Sequence, residues 1–389
     1  MFRKFLNSLI LFPRRGRLPL LLLLSAWGGL PPLCAAESGV YFWHRERNER
    51  SERVLAACAD WKLYILRGEF RKGAPAVLLR LPAVCAVPVF RLDALVWNDE
   101  KFVEKFASIL RSETAPEVQL DCDVPESRLL QYGSFLERLR RLVPGKRFSA
   151  TLLPCHLRHP AALKALFCHL AFYVLQLHAL EPPGDLPGKY LLFDPDAADR
   201  AVAAAVDLRK EFKMALPTYA YRLHYEARTG RFRRLSAENA PPEGRGEEVR
   251  FAVPDWEKLL QFRKKYAAIP VVWFRLAMEN DRLCLELENL RRLDAGLPPR
   301  VVIECFSRRI GVRTELFWRN HGVLGEQEFR QFLGGGTGEA FFFHGVHPVI
   351  PVVPGCVPRM ICGPIPGPGE TLKIGEINQW IPPESKSCW

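Results

Sequence analysis

The sequence predicts a (β/α)8 barrel followed by a small β-rich unit, and three observations carry that reading. Eight β-rich runs recur between residues 39 and 277, separated by helix-patterned or loop segments. Strands alternating with helices imply a parallel sheet with crossover helices, and eight units over about 240 residues match a closed barrel. No GxGxxG opens the first helix, which removes the main signature of a doubly wound open sheet. Finally, nearly every run is apolar in its first half and polar or aromatic at its end. A barrel that served only as a scaffold would not need that.

The runs follow in order. GVYFWH (39–44) is a strand and SERVLAACAD (51–60) a helix. WKLYILRGEF (61–70) and VPVFRLD (87–93) are the second and third strands, with VLLRL between them, and NDEKFVEKFASILRS (98–112) is helical. EVQLDCD (117–123) is the fourth strand. The helix after it buries Leu129, Tyr132, Leu136, Leu139 and Val143, which step by three and four. RFSATLLP (147–154), AFYVLQLHAL (171–180), KMALPTYAYRL (213–223) and IPVVWFRLA (269–277) complete the eight strands. Helices at 159–170, 195–212 and 255–266 lie between them, and SAENAPPEGRGEE (236–248) interrupts the rhythm. The predicted organisation is a signal peptide at 1–36, the barrel at 37–278, a small β-rich unit at 279–333 and a Gly/Pro-rich tail at 334–389. Within the β-rich unit RLCLELENL, RVVIECFS and VRTELFWRN alternate like strands, and the tail reads as irregular or extended chain.

The first segment carries Arg3, Lys4, Arg14, Arg15 and Arg17, then LPLLLLLSAWGGL, then small residues ending at Ala36. This order is that of a cleaved export signal, and its apolar part is short for a membrane span. Later windows are not apolar for long enough to cross a bilayer, so the expectation is an exported chain, periplasmic or secreted, with no stable membrane span after cleavage. Cleavage would lower the net charge from +12 to +7, because five cations and no acids are lost. The remaining basicity is scattered over helix faces such as RLRRL. It reads as a solvated surface compatible with anionic polymers, not as a nucleic-acid site. The 11 cysteines form no CxxC pair, so no zinc site and no cofactor is expected. Cys356 and Cys362 are the one close pair in a loop-like context.

In a barrel of this kind the chemistry sits at the C-terminal strand ends. Those ends offer His44 and Arg45, Glu69, Arg91 and Asp93, Asp121 and Asp123, Thr151, Gln176 and His178, Tyr219 and Tyr221, and Trp273 and Arg275. Residues two apart on a strand point the same way, about 6.5 Å apart. Gln119, Asp121 and Asp123 therefore share one face, inward, with Val118, Leu120 and Cys122 packing outward. Two carboxyls so close push one pKa upward, which suits a general acid beside a charged partner. Each residue also has a plainer role open to it. Asp123 could cap the following helix, Asp121 could be a buried acid paired with Arg45, Arg91 or Arg275, and the histidines and aromatics could be core. Two histidines with a DxD could also hold a divalent metal.

VYFWHRE, LYILRGEF, VPVFRLD, VQLDCDVPESRLLQYGSFLERLR and VLQLHAL resemble an uncharacterised family of exported bacterial proteins, a domain of unknown function, across residues 40–280. The fourth-strand segment is also distantly similar to the DxxDxDxE motif of chitinase-like barrels, whose final Glu protonates the glycosidic oxygen. Here Pro125 falls at that position and Glu126 one residue late.

The function expected is an exported glycosidase-like protein acting on a polysaccharide or glycoconjugate. Asp123 or Glu69 would be the acid and Asp121 its partner or base. Arg45, Arg91, His178 and Tyr219 would orient hydroxyls, and Trp273 would stack on a ring, with Asp93, Gln176, Tyr221, His44 and Arg275 completing the site. A non-catalytic glycan-binding or envelope-assembly protein is the alternative, and a metal-dependent hydrolase or deacetylase is the third.

Overall fold

The computed structural model describes residues 37–45, 47–80, 85–236, 246–278, 281, 283–299, 303–320, 328–333, 337–342, 347–348, 358, 360–364 and 371–381. The expected signal peptide, the middle of the 236–248 insertion and Cys356 lie outside the described residues.

Eight parallel strands close on themselves. They are β1 (Gly39–Phe42), β2 (Lys62–Phe70), β3 (Ala86–Leu92), β4 (Glu117–Asp121), β5 (Arg147–Leu152), β6 (Phe172–Gln176), β7 (Phe212–Pro217) and β8 (Val271–Phe274). Each pairs with its neighbours in chain order, and β8 pairs with β1 through Gly39 to Val272 and Val40 to Trp273, which closes the ring. The crossovers carry α1 (Glu49–Ala56), α2 (Glu100–Ser112), α3 (Leu129–Leu142), α4 (Pro160–Phe167), α5 (Pro195–Asp207) and α6 (Trp256–Lys265), and α7 (Leu287–Asp294) follows β8. Between β2 and β3 a short strand, Val77–Leu78, folds back antiparallel onto Gly68 and Glu69 in place of a helix.

Local chemistry fixes where the helices start. The side chain of Asn48 accepts from the Ser51 backbone N–H while the Ser51 hydroxyl accepts from the Asn48 N–H, a reciprocal cap on α1. Asp99, Asp194 and Asp255 cap α2, α5 and α6 from one side only, their carboxylates accepting otherwise orphaned amides, two of them at Asp194. The core then divides by strand phase. Val118, Leu120 and Cys122 face outward with Leu129, Tyr132, Leu136 and Leu139 of α3 in the layer between sheet and helices. Tyr41, Tyr64, Val89, Val174, Ala215 and Val272 fill the interior. Filling the centre leaves the mouth at the strand ends as the place for a ligand.

Three departures from the sequence reading have physical causes. Residues 213–223 are not one strand, because β7 ends at Pro217 and a separate strand begins at Tyr221. Tyr221–Glu226 pairs antiparallel with Phe232–Ser236 and Glu247–Ala252, forming a three-stranded sheet inserted between β7 and α6. RLCLELENL is not a strand either. Only 283–285 pairs, with 218–220, and α7 follows with Leu290 and Leu293 buried three residues apart. Finally, the 334–389 segment contains ordered strands. Thr371–Ile381 lies between Arg313–Asn320 and Thr337–Phe342, burying Ile374 and Ile377. A register shift between Leu316 and Phe317 accompanies that pairing. The expected strands at 303–310 and 313–320 form as a hairpin.

Candidate active site

The strand ends surround a cavity of about 430 Å³ lined by Trp43, Arg91, Asp121, Asp123, Gln176, His178, Tyr219, Tyr221 and Phe274, among others. Asp121 is its most constrained group. Thr151 Oγ1 donates to its Oδ1 at 2.8 Å, and Gln176 Nε2 donates to the same atom at 3.3 Å. Its second oxygen lies 3.9 Å from Nε of Arg91. Burial, and then the charge of Asp123, push the Asp121 carboxyl up to about 6, while Arg91 and the Thr151 hydrogen bond pull the other way. Because Oδ1 already accepts two hydrogen bonds, a proton on this carboxyl belongs on Oδ2, toward Arg91.

Asp123 does not cap a helix. Pro125 precedes the short 3-10 turn, and no side chain caps α3. The Asp123 side chain is instead 57% exposed, with Oδ2 3.5 Å from Arg91 Nη2. Arg91 thus stands between the two carboxyls, with its guanidinium 5.9 Å from the centre of the Trp43 ring.

The opposite wall is built around His178. Its Nδ1 is 3.1 Å from the Tyr219 hydroxyl, which donates on to Tyr221 at 3.2 Å. The His178 ring lies flat against Phe274, centroids 5.0 Å apart. Burial alone lowers His178 to about 4, so the ring is neutral at pH 7, and its buried Nε2 has no hydrogen-bond partner. Phe274 also meets Trp43 at 5.6 Å, completing an aromatic lining.

Six expected residues are elsewhere. Trp273 is fully buried and outward-facing, with its Nε1 donating to Asp294 at 2.9 Å, so it is core and not a stacking surface. Arg275 is buried in a 2.7 Å ion pair with Asp281, and His44 Nε2 lies 3.2 Å from Arg275 Nη1 and 3.0 Å from the Leu276 carbonyl. Those two residues lock the chain that leaves β8 and line neither this cavity nor the second one described below. Arg45 is held by Glu69, donating from Nε and Nη2 at 2.8 and 2.9 Å, and Arg71 adds a contact at 3.3 Å. These guanidinium groups hold Glu69 below the usual carboxylate range, so it stays ionised, opposite to what a general acid needs. Glu69 and Asp93 open instead onto a second cavity of about 470 Å³, which shares Arg91 and Asp123 with the first.

Phe274 was not anticipated. Trp273 and Phe274 are consecutive aromatics, so alternation alone does not say which faces inward. The phase is fixed by Val272, which lies inside the barrel. Trp43 belongs to the cavity, against the plainer expectation that it is core. Among the described residues no group of three His, Cys, Asp or Glu could hold a metal ion.

Residues 93–279 match a family model described as "Domain of unknown function (DUF3142)", a span running from Asp93 past the end of β8. No curated protein matches the chain. Among solved structures, a chitinase from Chromobacterium violaceum is 14% identical with a TM-score of 0.43, covering 63% of this chain and 96% of its own. A glycoside hydrolase family 18 chitinase from the chitin utilization locus of Flavobacterium johnsoniae is 12% identical with a TM-score of 0.42, covering 61% and 87%. A fungal endo-β-N-acetylglucosaminidase of glycosyl hydrolase family 18 is 11% identical with a TM-score of 0.38, covering 61% and 90%.

Proposed function

We propose that the chain is an exported glycosidase-like protein that cleaves a polysaccharide or glycoconjugate in the mouth of its barrel. One observation carries this reading. Asp121 is a buried carboxyl raised to about 6 that lines an aromatic cavity and has a second carboxylate two residues along the chain. The two carboxyls reach one guanidinium, Asp121 at 3.9 Å from Arg91 Nε and Asp123 at 3.5 Å from Arg91 Nη2, which keeps them within the roughly 10 Å that glycoside hydrolysis allows.

The roles are the reverse of those the sequence suggests. Asp121 is the general acid, donating the proton on Oδ2 to the leaving glycosidic oxygen. Asp123, exposed beside Arg91, assists the attacking water or stabilises positive charge developing on the sugar ring. Glu69 takes no part in the chemistry. Gln176 and Thr151 fix the Asp121 rotamer. His178 and Tyr219 offer polar contacts to sugar hydroxyls, while Trp43 and Phe274 offer ring faces that exclude water.

The test uses chitin and peptidoglycan oligosaccharides, with binding and product release measured separately. For a productive substrate, Asp121→Asn keeps its affinity within a few-fold and loses at least about 100-fold in turnover, the span of general-acid catalysis. The alternative is a non-catalytic glycan-binding protein on the same scaffold. It is the correct reading if oligosaccharides bind and neither the native protein nor any variant releases product.

A further inference from the structure

Resting on the glycan reading above, we infer that the second cavity is a subsite for a carboxylate-bearing sugar, so that the substrate is an acidic polysaccharide with a neutral residue in the first cavity. The two cavities meet at Arg91 and Asp123, so a chain occupying one continues into the other. Their linings differ in kind. The first has Trp43, Tyr219, Tyr221 and Phe274, whereas Phe70 is the single ring along the second. Three arginines replace the aromatics there, namely Arg71, Arg91 and Arg128.

The lining carries three guanidinium groups, Arg71, Arg91 and Arg128, and three carboxylates, Glu69, Asp93 and Asp123, and the carboxylates are already engaged. Glu69 is satisfied by the bidentate Arg45 pair. Asp93 accepts the Leu95 backbone N–H at 3.0 Å, and Asp123 faces Arg91 at 3.5 Å. What the wall has to spare is donors. A guanidinium carries five N–H donors in a planar fork. Arg128 makes one contact, to the Ala94 carbonyl at 3.4 Å, and Arg71 makes one, to Glu69 at 3.3 Å. A sugar carboxylate is planar and accepts such forks two bonds at a time.

The probes are a hexasaccharide of alternating glucuronic acid and N-acetylglucosamine and the same hexasaccharide with its carboxyls reduced to alcohols. Each is titrated calorimetrically into the full chain and into the Arg71→Gln, Arg128→Gln double variant. The native protein binds the acidic probe at least about tenfold more tightly. The double variant loses that preference and binds the reduced probe as the native protein does, which also shows that it folds. Equal binding of the two probes by the native protein, or a preference that survives in the double variant, overturns the acidic subsite and leaves the glycan reading standing. If neither probe binds, while the thermal transition shows folded protein, the acidic subsite is overturned, and the glycan reading falls with it only if the chitin and peptidoglycan oligosaccharides also fail to bind.

Discussion

Asp121 and His178 face the same cavity with opposite effects on stability. The folded-state pKa of Asp121, about 6, lies above the unfolded value of about 3.9, so between those values native protein keeps a proton that the unfolded chain has lost. Stability therefore falls as pH rises from about 4 to 6, by up to about 3 kcal/mol, and stays lower above that. His178, at about 4 against about 6.5 unfolded, contributes stability that is lost as pH falls through the same window. In the native protein the two slopes oppose each other. Denaturant unfolding at a series of pH values separates them. Asp121→Asn leaves a stability that climbs from pH 4 to 6.5 and gains up to about 3 kcal/mol at pH 7. His178→Phe leaves one that declines over the same range. Flat, unaltered profiles in both variants would mean that neither group is perturbed. The inward face of Asp121 was legible in the sequence from two-residue periodicity alone. Its role was not, because acid and partner are set by Thr151, Gln176 and Arg91, which arrive from three other strands.

The strand-by-strand pattern explains which elements could be read and which could not. All eight barrel strands were legible as short apolar runs, set apart by helix-patterned segments everywhere but between β2 and β3, where the VLLRL run separates them. The errors fall where local pattern is degenerate. At the end of β8 the consecutive aromatics Trp273 and Phe274 swap roles, carrying Arg275 out of the site with Trp273. The two rings make distinct predictions. Trp273→Ala removes a fully buried indole and its bond to Asp294, and it destabilises by about 3–5 kcal/mol without a specific effect on ligand affinity. Phe274→Ala removes a half-buried wall of the cavity and weakens oligosaccharide binding about tenfold at smaller cost to stability. Chemical denaturation and calorimetric titration of both variants check this, and the reverse pattern would place Trp273 in the site after all. In the C-terminal region the strand Thr371–Ile381 escaped notice because its pairing partner, Arg313–Asn320, lies over 50 residues away across Gly/Pro-rich sequence.

For the whole molecule, the barrel sets the geometry and the ends of its strands carry the chemistry. Among the described residues no helix is long and apolar enough to cross a membrane. Export is proposed on the N-terminal basic and apolar segment, and the proposal specifies an outcome. Protein recovered from an exported fraction has an N-terminus near Glu37 by mass spectrometry, whereas an N-terminus at Met1 in that fraction argues for an uncleaved anchor.

In the proposed mechanism Asp121 delivers the proton, and the pH dependence of kcat/KM on a cleavable oligosaccharide reports whether it does. The expected rate falls as pH rises through about 6, where Asp121 loses its proton, and in Asp121→Asn that limb is lost together with the activity. Turnover that persists in Asp121→Asn with the same limb would assign the proton to another group and overturn the mechanism.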